Sequence, residues 1–245
     1  MEENEKKNIE IIPALLPEDF AHLEEEIHLV EKAIKTSAGF VQIDVVDGKF
    51  APTKTWPYNK KDQEKWNLIK SQKNGLPAWE NVDFEIDLML ENQLEEAKNW
   101  ISAGAKRLIF HIEGFTDELN STMDEILKLK TDFAIEIVLS LNPSTDEGLL
   151  DPYLEKIDGV QFMGNDKIGY HGVKLDESIL PKIKKLRQKM PNLPIGIDIG
   201  VKEETIGLLA KAGVTRFSSG SAILGAENPK EAIQDFLKIA RNHQK

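Results

Sequence analysis

The chain contains no cysteine, which removes disulfides, thiolate metal sites and cysteine nucleophiles together and gives no sign of an oxidising compartment. It has no apolar run long enough to cross a bilayer, so no membrane partner is expected. Positive charge is scarce: 31 Lys and Arg face 42 Asp and Glu, a net charge of −11. Such a chain repels phosphate backbones on average, and no nucleic-acid partner is expected. No G-x-G-x-x-G follows a strand-like run, which argues against a doubly wound dinucleotide-binding sheet. The N-terminal Met1-Glu2-Glu3-Asn4-Glu5-Lys6-Lys7 is charged and leads directly into a strand pattern rather than an apolar signal core, so a cytoplasmic protein is expected.

What the chain has is alternation. With 245 residues, 40% of them hydrophobic, it is long enough for one sizeable core. Strand-like runs fall at 9–16, from Phe40 onward, and at 82–90, 107–112, 134–141, 159–163, 195–199 and 214–218. Helical patterns follow them. Pro17-Glu18-Asp19 opens one with apolar positions at Phe20, Leu23, Ile27, Val30 and Ile34. Others fall at 60–73, 92–102, 116–129, briefly after Thr145, and at 180–190, 203–212 and 230–240. Eight strands, each followed by a helix, predict an α/β protein of one domain over 1–245, a (β/α)8 TIM barrel with 1–8 as a flexible N-terminal extension.

The polar positions inside these strands carry the chemistry. With period 2, Gln42, Asp44 and Val46 share one strand face. Asp44 lies among β-branched neighbours, where an unpaired carboxylate is costly to bury. A partner or a job is therefore expected for it, ahead of the plainer reading of an Asp satisfied by a neighbouring backbone N–H. Asp87 and Met89 end strand three, His111 ends strand four and Asp198 ends strand seven. A lone His in such a place is ordinarily a hydrogen-bonded core residue. Three acids at one barrel mouth, however, repel unless a cation, a proton or a basic side chain joins them. After strands six, seven and eight come Gly164, Gly169 and Gly172, then Gly200, then Ser218-Ser219-Gly220-Ser221-Ala222. Singly these glycines mark turns; at three neighbouring strand ends they predict a phosphate site made of backbone N–H groups.

These residues resemble the ribulose-phosphate 3-epimerase family from about Ile11 to Arg241. The matching pieces are Pro13-Ala14-Leu15-Leu16 with Asp19-Phe20, Asp44 through Pro52, Asp87-Leu88-Met89-Leu90-Glu91-Asn92, Leu141-Asn142-Pro143 and Gly220-Ser221-Ala222-Ile223. In that family two His and two Asp hold a divalent metal, and the same two Asp pass a proton to and from the substrate carbon. The resemblance implies that Asp44 and Asp198 are the catalytic pair. It implies substrate or phosphate contacts at Met89, His111, Met163, Gly169, Gly172, Gly200, Gly220 and Ser221, with Gly169-Tyr170-His171-Gly172 matching the phosphate loop less one glycine. Gln42 and Asp87 stand where the two metal histidines would be, Ala14 where the family has a serine, and Val46 where it has a third methionine.

Epimerisation beside a carbonyl needs a base on one face, an acid on the other and something electropositive at the enediolate oxygen. Asp44 and Asp198 can supply the pair, their repulsion raising the pKa of one. A metal set of Gln42, Asp44, Asp87 and Asp198 is all oxygen and suits magnesium or manganese over zinc or iron; the other expectation is no metal, with Lys49, Lys54, Lys167 or His171 in its place. The first functional reading is an isomerase epimerising a phosphorylated ketose, D-ribulose 5-phosphate to D-xylulose 5-phosphate, through an enediolate. The second is a sugar-phosphate-binding barrel without turnover, in a binding or regulatory role. A small-molecule sugar phosphate is the partner in both, and a homo-oligomer is compatible with either. Trp56 and Tyr58, flanking Pro57, are expected to cover the mouth as a lid, while Trp66 packs helix two.

Overall fold

The computed structural model describes residues 8–37, 39–115, 119–170 and 172–244. Residues 1–7 of the expected N-terminal extension and His171 lie outside them, as does the expected helix start at Thr116. The strands are β1 (Glu10–Leu15), β2 (Phe40–Val46), β3 (Asp83–Met89), β4 (Ala105–His111), β5 (Glu136–Leu141), β6 (Gly159–Met163), β7 (Ile195–Asp198) and β8 (Arg216–Ser219). Each pairs in parallel with the next, and β8 closes on β1. The helices are α1 (Phe20–Val30), α2 (Gln63–Lys70), α3 (Gln93–Ser102), α4 (Leu119–Phe133), α5 (Ile179–Lys189), α6 (Glu203–Ala212), α7 (Ser221–Leu224) and α8 (Pro229–His243). The expected TIM barrel is present.

The one-to-one alternation of strand and helix is not kept. After β5 the crossover carries only a 3-10 turn, Glu147–Leu150, while β8 is followed by both α7 and α8. The sequence explains the first: Pro143, Gly148 and Pro152 leave no stretch for an amphipathic helix. Elsewhere local signals hold. Asp19 caps α1, its carboxylate accepting from the His22 N–H at 2.9 Å. Asn228 caps α8, with Pro229 in the first turn. The faces of α1 bearing Leu23, Ile27 and Val30 and of α8 bearing Ile233, Phe236 and Leu237 are buried on the barrel.

Strand alternation divides the core in two. Val41, Ile43 and Val45 of β2 point out into the shell beneath the helices, whereas Gln42, Asp44 and Val46 point inward. Registers Asp44↔Asp87, Glu85↔Arg107, His111↔Ser140 and Met163↔Asp198 carry this inner face around the barrel. Its bottom is an ionic plug. Arg107 pairs with Glu85, with Glu136 at 2.7 Å and with Glu10 at 3.4 Å, and Arg216 reaches Glu10 and Glu136 at 3.2 Å. Arg107 also lies over the Phe40 ring at 4.0 Å.

Trp56 is not a lid. It is fully buried between helices, its ring 5.4 Å from Phe20, 5.5 Å from Trp66 and 6.3 Å from Trp100. Tyr58 lies beside it, accepting from Trp100 Nε1 at 3.0 Å and donating to Glu96 at 2.8 Å. An indole gains more from full burial against three rings than from an exposed rim, and this sets the course of the chain after β2.

Arg107→Ala should leave the buried carboxylate of Glu85 without its cation. Denaturant titration at neutral pH should show a loss of about 3–5 kcal/mol, the scale for breaking a buried ion pair; a loss below about 1 kcal/mol would mean that water already screens the plug.

Candidate functional site

The inner face of the barrel's upper end is an acid triad held by amides. Asp44, Asp87 and Asp198, from β2, β3 and β7, offer oxygens within 4.8 Å of one another. Gln42 Nε2 donates to Asp44 Oδ1 at 2.7 Å and to Asp198 Oδ2 at 3.3 Å, and Gln42 Oε1 accepts from Ser218 Oγ at 2.7 Å. Asp87 meets His111 Nε2 at 2.6 Å on one oxygen and Gln161 Nε2 at 3.1 Å on the other. Asp87 and His111 are wholly enclosed, whereas Asp44 and Asp198 keep 7% and 8% of their surface open. Only the latter two acids can touch a bound molecule directly.

Burial and mutual repulsion set the protonation of the pair. Enclosure first, then the charges of Asp198 and Asp87, push the Asp44 carboxyl well above the usual range. Enclosure and the charge of Asp87 push Asp198 up to about 7, against its own hydrogen bond from the Ile199 N–H. Burial opposes a charged His111, yet Asp87 facing it more than offsets this and raises its pKa.

The backbone beside Asp198 is tightly drawn. Ile199 adopts φ +73°, a left-handed conformation that is an outlier for a β-branched residue and of the kind found at functional sites. At Gly164 the next loop comes so close that a Cβ would sit 2.1 Å from the Ile199 carbonyl oxygen. The Gly164 N–H donates to the Asp198 carbonyl at 2.6 Å.

Above the triad lies a cleft open to solvent. It is lined by Asp44, Asp198 and Met89 with Ala14 and Leu16, by Gly169, Tyr170 and Gly172 after β6, and by Gly200, Ser219, Gly220 and Ser221 at the ends of β7 and β8. Lys202 lines the cleft as well, a cation which the sequence reading passed over. Its signal was its place, two residues beyond Gly200 at the opening of α6. Gln161 was passed over too, although period 2 puts it on the same face as Met163; Ser218, expected in the phosphate stretch, lines the cleft and spends its hydroxyl on Gln42.

His111 and Met163 are not in the cleft lining. His111 acts on it through Asp87, as the hydrogen-bonded His that the sequence suggested, and Met163 packs under it with Val46, Ala51, Met89 and Ile168. Between β2 and Trp56 the chain packs against residues at the cleft and beneath it. Thr53 Oγ1 donates to the Gly169 carbonyl at 2.8 Å, and the Phe50 ring lies 5.2 Å from His111. Lys49 is paired with exposed Glu91, and neither Lys54 nor Lys167 lines the cleft.

A divalent metal can be tested against these donors. The spacing of the three carboxylates admits one. The donor set does not fit it. Gln42 turns toward Asp44 and Asp198 its amide nitrogen, which has no lone pair for a metal, and gives its oxygen to Ser218. Both Asp87 oxygens already accept from N–H groups.

The family model described as "Ribulose-phosphate 3 epimerase family" matches residues 10–224. A ribulose-phosphate 3-epimerase of Candida glabrata is 30% identical over 235 residues, covering 93% of this chain and 90% of the relative. That of Bacillus subtilis is 28% identical over 233 residues, covering 93% and 98%. Among solved structures, a 3-keto-L-gulonate-6-phosphate decarboxylase from Vibrio cholerae superposes with a TM-score of 0.68 at 14% identity, covering 98% and 100%, which speaks to the fold alone.

Folded Asp198 and Asp44 keep protons that the unfolded chain, with ordinary Asp near 4, has released. The native state therefore binds more protons between about 4 and about 7, and the stability this contributes is complete below that window and is lost as pH rises through it. Asp198→Asn, which cannot ionise, should gain on wild type as pH rises, by a few kcal/mol in urea titrations across that window. A difference that does not change with pH would contradict the raised pKa.

Proposed function

Because the chain belongs to the ribulose-phosphate 3-epimerase family, we propose that it interconverts D-ribulose 5-phosphate and D-xylulose 5-phosphate, with Asp44 and Asp198 as the catalytic pair. The relatives are isomerases acting on carbohydrates, and this chain is an enzyme of that kind. The observation that carries the residue assignment is that the two acids rise from separate strands, share one amide donor and are the two members of the triad open to the cleft.

One carboxylate takes the proton from the carbon beside the ketone, and the C–H electron pair moves into the enediolate. The other carboxyl, neutral at the start, returns its own proton to the opposite face of that carbon. The configuration inverts, and the pair ends with its single proton on the other partner, ready for the reverse reaction. The raised pKa of Asp44 and the value near 7 for Asp198 suit a pair sharing one proton at neutral pH. The proton transfers pass through the two carboxyl groups alone. The phosphate is assigned to the loops bearing Gly169 and Gly172, Gly200, and Gly220 and Ser221, where Lys202 offers a positive charge.

Turnover in deuterated solvent should place deuterium on the carbon beside the ketone. Asp44→Asn and Asp198→Asn should each suppress that exchange on the order of a hundredfold or more. No exchange by wild type with any pentulose or hexulose phosphate would leave a sugar-phosphate-binding barrel.

Gly220→Asp should exclude the phosphate by like charge and raise the KM for a sugar phosphate, and the Kd for inorganic phosphate, by about a hundredfold. Unchanged values would move the phosphate elsewhere.

A further inference from the structure

Around the triad, the polar side chains aim hydrogens, not lone pairs, at the carboxylates. Gln42 Nε2 lies between Asp44 and Asp198, where an ion bridging those two acids would have to sit. The Ser218 hydroxyl donates to Gln42 Oε1 and fixes the amide in that sense. Reversing the amide would set its oxygen against two carboxylates and turn its NH2 group onto Ser218. On the far side, Gln161 and His111 engage both oxygens of Asp87, so that each has a donor. Gln42, Asp87, His111, Gln161 and Ser218 are all at least nine-tenths buried, so these orientations are fixed by packing and not by solvent.

We propose that this barrel works without a metal ion, Gln42 serving as a positioning residue whose amide hydrogens bridge Asp44 and Asp198 in place of a cation. The amide does for the pair what a bridging ion would do at the same spot: it lets two carboxyl groups approach across the barrel while leaving one free to take a proton. A neutral bridge also follows whichever partner is ionised, since its two hydrogens point to both acids. The role of the pair rests on the epimerase reading, but the absence of a metal requirement does not depend on turnover.

The test begins with wild-type protein purified without chelator and desalted. Elemental analysis should find divalent metal far below one per chain, and added manganese, magnesium or zinc should leave the thermal midpoint unmoved. A metal held at one per chain, or activity lost to a chelator and restored by the ion, would overturn the proposal. Gln42→Glu keeps the shape and replaces the NH2 group by oxygen. It should lose on the order of a hundredfold in kcat with little change in KM, and its midpoint should rise when manganese is added, because four carboxylates then face one another. Full activity in that variant would remove Gln42 from the mechanism. If the variant does not fold, the wild-type metal content and thermal response decide alone. A wild type without epimerase activity would fail the functional reading and leave those two measurements standing.

Discussion

Three carboxylates enclosed within a few ångströms of one another, at one end of a closed barrel, are the constraint to which the upper half of this molecule answers. Isolated buried charge costs far more than any single hydrogen bond returns, so each acid must be given hydrogens or keep its own proton. The molecule uses both means. Asp87, the most enclosed, takes two N–H donors from β4 and β6. Asp44 and Asp198 share the one amide of Gln42 and hold protons that ordinary aspartates would have lost. That residual proton affinity is what general acid–base chemistry near neutral pH requires.

The two ends of the barrel interior handle charge in opposite ways. At the bottom, Arg107 and Arg216 meet Glu10, Glu85 and Glu136, and charge is cancelled by charge. At the top, among the described residues, the triad's partners are amides and an imidazole rather than arginine or lysine, and repulsion is left partly unrelieved. Barrels place stability at the bottom face and reactivity at the top, and here the division can be read in the partners of each acid. The strained Ile199 directly after Asp198 belongs to the same pattern, since local strain persists only where the surroundings enforce it.

The recognition of the barrel and of the acids needed little beyond periodicity. Alternation along β2 put Gln42, Asp44 and Val46 on one face, and the spacing of eight apolar runs put Asp44, Asp87 and Asp198 at the same ends of their strands. The cleft-lining glycines were legible because they follow strands directly. Lys202 was missed for the opposite reason: a lysine at a helix opening looks like any surface charge until the loops around it are in place. Trp56 and Tyr58 were misread because a Pro-flanked aromatic pair just after an active strand has no local mark that distinguishes a lid from a buried wedge. Three rings from α1, α2 and α3 decided that, and their convergence depends on how the helices pack.

The sequence by itself therefore determined the barrel and the identity of its inward-facing acids, because these follow from period, spacing and residue type; that Gln42 and Asp87 stand in place of two histidines was what the family resemblance implied. The sequence did not determine what the replacements do. As a row of letters, Gln42 is equally an oxygen donor to a metal and a nitrogen donor to carboxylates, and His111 is equally a substrate contact and a partner of Asp87. Closure of the barrel settled both. Once β8 brought Ser218 beside β2, and β7 set Asp198 across from Asp44, the amide had a hydroxyl on one side and two carboxylates on the other; hydrogen-bond chemistry leaves one orientation that satisfies all three.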